Sequence, residues 1–223
     1  YFIDKFEVTN KQFKQFMGSG GYTNRKYWKQ EFIRQDRRVS WQDAMTQFVD
    51  ATGRPGPSNW EVGTYPEGKD NYPVGGISWY EAAAYAEFVG KSLPSIFHWN
   101  RAADTWNALT IISQSNFSGS GPVPIGSKQG VSSYGTYDMA GNLREWCWNQ
   151  TNGKRYILGG GWNDAAYSFV DSYTQDPFDR SFTNGFRCVK YLEPITDTSS
   201  VSKTVEIVHR DYSKEKPVSD AVF

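Results

Sequence analysis

Phe2-Ile3-Asp4-Lys5-Phe6-Glu7-Val8 alternates apolar and polar positions, the period of a half-buried strand. The pattern then changes to the helical one. Thr9 or Asn10 can cap a helix that places Phe13, Phe16 and Met17 on one face, and Gly18-Ser19-Gly20-Gly21 ends it. Residues 22–76 show neither period and are rich in Trp, Gly and Pro, with a breaker cluster at Gly53-Arg54-Pro55-Gly56-Pro57. Ser78-Trp79-Tyr80-Glu81 reads as a capping box opening a helix through Val89 to a stop at Gly90. A third helix is expected from Ser95, with Trp99, Ala102 and Ala103 facing the core. Turns follow at Gly119-Ser120-Gly121-Pro122 and Gly126-Ser127-Lys128, and short strands at 156–158 and 186–191. Beyond Tyr191 the run Glu193 to Ser200 is linker-like, and Thr204 to Val208 alternates again. The expected division is a domain over 1–192 and, over 193–223, a linker and the start of a further unit.

Composition narrows the function classes. Lys+Arg and Asp+Glu both total 24 in 223 residues, and a net charge of zero argues against a nucleic-acid binder. Aromatic residues make up 17% of a chain whose mean hydropathy is −0.65. So many rings in so polar a chain predict a loop-rich domain in which rings fill space that regular elements leave, with some to spare for a binding surface. No apolar run approaches the roughly 18–20 residues that cross a bilayer. The two cysteines, Cys147 and Cys188, allow one bridge or two buried free thiols; with two histidines they make no Cys/His zinc site of usual spacing. Both ends of the sequence read as cut from a longer polypeptide.

Six stretches in order resemble the sulfatase-modifying-factor, or formylglycine-generating enzyme, family. They are Phe2 to Asn10, Tyr72 to Ala83, Ser92 to Ala103, Tyr137-Asp138-Met139-Ala140-Gly141-Asn142-Leu143-Arg144-Glu145-Trp146, Gly159-Gly160-Gly161-Trp162-Asn163 and Asn184-Gly185-Phe186-Arg187-Cys188. The resemblance covers roughly residues 1–191 and implies an α+β, C-type-lectin-like fold of low regular content. Gly56 to Trp60, Gly63 to Pro66, Tyr72 to Gly76 and Pro177-Phe178-Asp179-Arg180 resemble, more narrowly, the versions of this domain found downstream of bacterial Ser/Thr protein kinases. The chain itself has no kinase motif, so a kinase domain in cis would lie upstream of Tyr1.

Fold and chemistry separate at this point. Family members that oxidise a sulfatase cysteine hold copper between two thiols shortly after the glycine turn; the matching positions here are Asp164 and Phe169, which cannot replace them. Cys188 matches a structural family cysteine whose usual partner position is Ala86. Relatives that oxidise sulfur compounds bind iron through three histidines, and this chain has His98 and His209 alone. Neither copper nor iron is therefore expected. Calcium is: Asp138 and Glu145 flank a tight Gly141-Asn142 turn, and the matching family segment binds calcium through the side chains at Asp138 and Glu145 and the main chain at Gly141 and Leu143. The plainer alternative makes Gly-Asn a turn and pairs Glu145 with an arginine. A second family calcium site is eroded, Asn116 alone matching a ligand. Arg187 is expected to anchor the fold through a buried charge-assisted bond.

Trp162, Asn163, Asp164, Tyr167, Phe169 and Tyr173 lie where family enzymes hold substrate, and rings mixed with Asn and Asp suit an adaptable recognition face. The alternative for each ring is the core. The resulting expectation is a non-catalytic domain that recognises a small ligand or a protein, the sensor or accessory part of a bacterial Ser/Thr kinase. The competing reading is an oxidoreductase of altered chemistry in the same cleft. An extracytoplasmic part of a membrane-anchored protein is compatible with the sequence, which by itself assigns no compartment.

Overall fold

Thr9 closes the first helix by a reciprocal cap. Its hydroxyl accepts from the Gln12 N–H at 3.3 Å, and the Gln12 side chain accepts from the Thr9 N–H at 2.9 Å. The computed structural model describes residues 1–192. In it α1 spans Asn10–Gly18, with Phe13 and Phe16 buried. A short hairpin pairs β2 (Ile33–Arg34) with β3 (Arg37–Arg38), and α2 (Trp41–Met45) follows behind a Ser40 cap. The Ser78/Glu81 box opens α3 (Trp79–Phe88), and Ser95 caps α4 (Ile96–Ala103), as the pattern predicts. One element more, α5 (Ala108–Ile112), carries no clear helical period.

The sheet that organises the C-terminal half runs in the order β6 (Tyr173–Gln175), β5 (Lys154–Leu158), β4 (Arg144–Thr151), β7 (Asn184–Gly185). The pairings of β4 with β5 and of β5 with β6 are antiparallel; β4 and β7 run parallel. Of the predicted strands, 156–158 lengthens into β5, while 2–8 and 186–191 shrink. The alternating opening segment is regular only at β1 (Phe2–Ile3), paired with β8 (Val189–Lys190). Further along, Asp4 N–H donates to the Cys188 carbonyl and Val8 N–H to the Phe186 carbonyl, so the two chain ends run together without a continuous ladder.

Two apolar clusters form the core. The larger packs α1, α3 and residues 22–60 around Phe13, Phe16, Trp60, Trp79, Tyr85 and Phe186; the smaller gathers Trp99, Ile111, Met139, Cys147, Leu158 and Phe169. Stretches that carry no periodicity still pack, because rings meet edge-on or stacked: Trp28 stacks on Phe48 at 5.3 Å, and Phe48 on Phe178 at 5.8 Å. Both cysteines are free and buried, which settles the alternative in favour of two thiols; burial pushes both up, away from the reactive thiolate.

Two arginines tie these parts together. Arg187 is fully buried and uses every N–H it has. Its Nε and Nη2 bond both Glu145 oxygens at 2.7 Å, Nη2 also bonds the Tyr137 carbonyl at 2.7 Å, and Nη1 bonds the carbonyls of Asp4 at 3.0 Å and Lys5 at 3.1 Å. Arg180 does the same for the N-terminal half. It grips Glu81 at 2.8 and 3.0 Å and the carbonyls of Gln47, Val49 and Gly56. The expected anchoring role of Arg187 is thus what the structure shows. Replacing Arg187 with Met leaves the Glu145 carboxylate buried without its counter-charge, and denaturant unfolding should show a loss of about 3–5 kcal/mol. The double variant Arg187→Met with Glu145→Leu should recover part of it; a single variant within about 1 kcal/mol of wild type contradicts the assignment.

Candidate functional site

The glycine run 159–161 carries β5 into the site. Gly159 and Gly160 both sit at positive φ, +94° and +73°. A Cβ at Gly160 would approach Phe117 and Ser168 to 2.9 Å, so only glycine brings the chain through here. Trp162 follows and is fixed by its backbone, its N–H donating to the Asn142 carbonyl at 2.8 Å and its carbonyl accepting from Gly119 at 2.9 Å. Asn142 is itself held on all sides: its amide donates to Glu7 at 2.7 Å and its oxygen accepts from Val123 N–H at 2.9 Å and Asn116 at 3.2 Å. The Gly-Asn turn therefore places Trp162.

Asp164, two residues on, is spent in a fork-to-fork pair with Arg144. Its oxygens lie 2.7 Å from Nε and 2.7 Å from Nη2, and Oδ2 also accepts from the Gly161 N–H at 2.6 Å. Burial raises its pKa, but the Arg144 bonds and the Gly161 N–H outweigh this and hold the carboxyl below its ordinary value of 3.8. Arg144 also lies over the Tyr173 ring, 4.8 Å from its centroid. Phe182 leans on Trp162 with ring centroids 5.9 Å apart and stays 52% exposed, while Tyr167 is 64% exposed. Asn163 is exposed as well. Five of the six expected surface residues thus keep some access to solvent. The sixth is a correction: Phe169 is buried in the smaller core, 6.3 Å from the Trp99 ring, because the short turn Ala166–Phe169 points it inward. Arg144 and Phe182 belong to the face and were not singled out by the sequence; Arg144 lies in the quoted motif, but only the fold aims it at Asp164. Two buried side-chain atoms among the described residues have no hydrogen-bond partner, Trp162 Nε1 and Asn184 Oδ1. Asn184 is the register partner of Arg144 across β4 and β7.

The expected calcium ligands fall in a different place, beneath this face. Asp138 is buried and its Oδ2 accepts from the Gly126 N–H at 2.6 Å; burial raises its pKa despite that bond. Glu7 joins the cluster, pushed up by burial and then by Asp138 and Glu145. Carboxylates and main-chain carbonyls are the hard oxygens that calcium takes. Glu145, however, gives both oxygens to Arg187 and one also to Trp99 Nε1 at 2.7 Å, so an ion at Asp138, Gly141, Leu143 and Glu145 would share that carboxylate with a guanidinium. No group of three or more His, Cys, Asp or Glu among the described residues is placed to hold a metal. His98 stands apart, its Nδ1 2.8 Å from Ser95 Oγ; His209 and the rest of 193–223 lie outside the described residues.

Residues 1–192 match the sulfatase-modifying factor enzyme 1-like domain model. The chain belongs to that family. Over 157 residues it is 30% identical to the serine/threonine-protein kinase pkn1 of Chlamydia caviae, covering 66% of this chain and 22% of that protein. Over 193 residues it is 28% identical to the formylglycine-generating enzyme of Thermomonospora curvata, covering 66% of this chain and 59% of that one. The chain thus spans about a fifth of the kinase relative and under two thirds of the enzyme. PvdO from Pseudomonas aeruginosa superposes with a TM-score of 0.56 at 16% identity over 83% of this chain and 78% of its own, a likeness of fold alone. The α+β, C-type-lectin-like fold expected from the sequence is the fold this family domain has.

The Arg144–Asp164 pair has a measurable pH signature. A carboxyl held below its ordinary pKa stabilises the fold above about pH 4 and ceases to do so as pH falls through the lowered value. Asp164→Asn should therefore lower stability by about 2 kcal/mol at pH 7, and this difference should shrink steadily below pH 4 in thermal melts. A difference that stays constant from pH 7 to 3 contradicts it.

Proposed function

We propose that this domain recognises a ligand or a protein partner without catalysis, as the sensor or accessory part of a larger bacterial protein that carries a Ser/Thr kinase. One observation carries this reading. At the two positions that the family resemblance assigns to metal-binding thiols stand a carboxylate locked to Arg144 and a phenyl ring packed into the core. Neither of the chain's two thiols is exposed. What remains at the surface is recognition chemistry: half-exposed Trp162 and Tyr173, exposed Tyr167 and Phe182, and the amide of Asn163. The kinase names of the relatives support a kinase in cis. None of the helices in the described residues is long and apolar enough to cross a membrane.

The test uses the full-length protein. Trp162→Ala with Tyr167→Ala should leave the melting temperature within about 2–4 °C of wild type, since both rings lie at the surface. Kinase autophosphorylation should nevertheless change. Copper- and oxygen-dependent turnover of a thiol peptide by this chain, abolished by Cys188→Ser, would instead establish the competing reading of an oxidoreductase with altered chemistry.

Calcium at Asp138, Gly141, Leu143 and Glu145 is proposed as a structural ion of the same domain. Its support is the charge balance of the buried cluster, in which Glu7, Asp138 and Glu145 face the single guanidinium of Arg187. An ion that binds the folded state alone raises the apparent melting temperature. Millimolar calcium should raise it for the wild type and not for Asp138→Ala. A wild type that melts at one temperature in calcium and in chelator overturns the proposal.

A further inference from the structure

The chain is neutral, yet residues 25–42 are not. They hold six basic side chains, Arg25, Lys26, Lys29, Arg34, Arg37 and Arg38, against two acidic ones, Glu31 and Asp36, a local net charge of +4. This stretch lies in the N-terminal half, and none of its residues belongs to the Trp162 face. Part of it lines a cleft of about 400 Å³, whose wall holds Arg25, Lys29 and Arg38 beside Glu31, Trp28 and Trp41. That is the size range of small-ligand sites.

The charges are incompletely spent. Arg38 reaches Glu31 at 3.1 Å and Lys29 reaches Glu87 at 3.8 Å, both on exposed side chains where an ion pair holds weakly. Neither Arg25 nor Arg37 is in an ion pair among the described residues; Arg25 stands with its guanidinium 5.9 Å from the Trp41 ring. The β2–β3 register sets Arg34 directly opposite Arg37. Like charges in that position repel, although both lie on the hairpin beside the cleft and not in its lining, and Arg34 also donates to Gln47 Oε1 at 2.8 Å. The turn between them, Gln35-Asp36, puts two non-glycine residues at positive φ, 48° and 60°, which adds local strain.

We propose that this cleft binds a phosphoryl group, carried on a polypeptide or on a free phosphate ester. A single carboxylate needs one guanidinium fork, whereas a phosphoryl dianion offers three acceptor oxygens and can bridge several. Trp28 is buried and Trp41 half-buried in the cleft wall, and their rings displace water beside the charges, which strengthens the attraction. A duplex is a poorer match, since the basic stretch is one short hairpin on an otherwise acidic chain and cannot track a run of phosphates.

Calorimetric titration of the 223-residue chain at low salt tests this with four probes: a phosphoserine peptide, the same peptide unphosphorylated, inorganic phosphate, and a duplex oligonucleotide. The phosphorylated peptide or phosphate should bind, and Arg25→Glu with Arg38→Glu should weaken that binding at least about tenfold at an unchanged melting temperature. Trp162→Ala should leave it unchanged, so this site can stand or fall apart from the recognition face proposed above. Phosphate binding as tightly as the peptide identifies a free ester as the source; a much tighter peptide identifies a polypeptide. Equal binding of the two peptides without binding of phosphate, tighter binding of the duplex, or no effect of the double variant overturns the proposal.

Discussion

Arg187 and Glu145 are the constraint on which the remaining structure rests. Both are fully buried, and each is saturated by the other and by fixed neighbours. Arg187 lies between Phe186 and Cys188, members of the larger core, while Glu145 bonds Trp99 of the smaller one, so the ion pair stitches together two cores that also share β4 and β5. The remaining guanidinium protons hold the Asp4, Lys5 and Tyr137 carbonyls. In a domain whose opening strand is regular for two residues, those bonds replace a sheet ladder. A buried guanidinium is tolerated because every donor is satisfied and the partner charge is in contact.

A second clamp repeats the solution. Arg180 gathers the irregular segment around 47–56 onto Glu81, which also caps α3 through the Ser78 N–H at 2.8 Å and accepts from Tyr22 at 2.6 Å. Glu81 thus serves helix start, loop and core at once. Loop-rich domains cannot satisfy backbone carbonyls within helices and sheets, so side chains with several donors do it for them.

The proposed recognition face rests on the same rigidity. Asn142, locked to Glu7, fixes the backbone of Trp162, and Arg144, one residue short of the anchor Glu145, fixes Asp164. The face is therefore carried by the start of β4, while its exposed rings, Tyr167 and Phe182, sit on turns. A rigid base beneath adaptable rings suits recognition, because little ordering remains to be done on binding. The basic cleft uses another part of the fold, the hairpin and α2, so the two sites are structurally separate.

Much of this was local and hence legible in the sequence. Thr9, Ser78 and Ser95 predict their helices because a cap needs only residues three apart. The ordered family stretches predict the fold, and they point to Arg187 as an anchor. Strand lengths were not legible, because whether an alternating segment forms a ladder depends on the partner that reaches it. The 4–8 segment met isolated carbonyls of 186–188, not a matched strand. Phe169 and Tyr167 are two residues apart and equally aromatic, yet one is core and the other surface, since only the turn at 166–169 decides which way each faces. Sequence alone also left Glu145 between an ion and an arginine. The fold put Arg187 against it, a contact between residues 42 apart in the chain that no local pattern encodes.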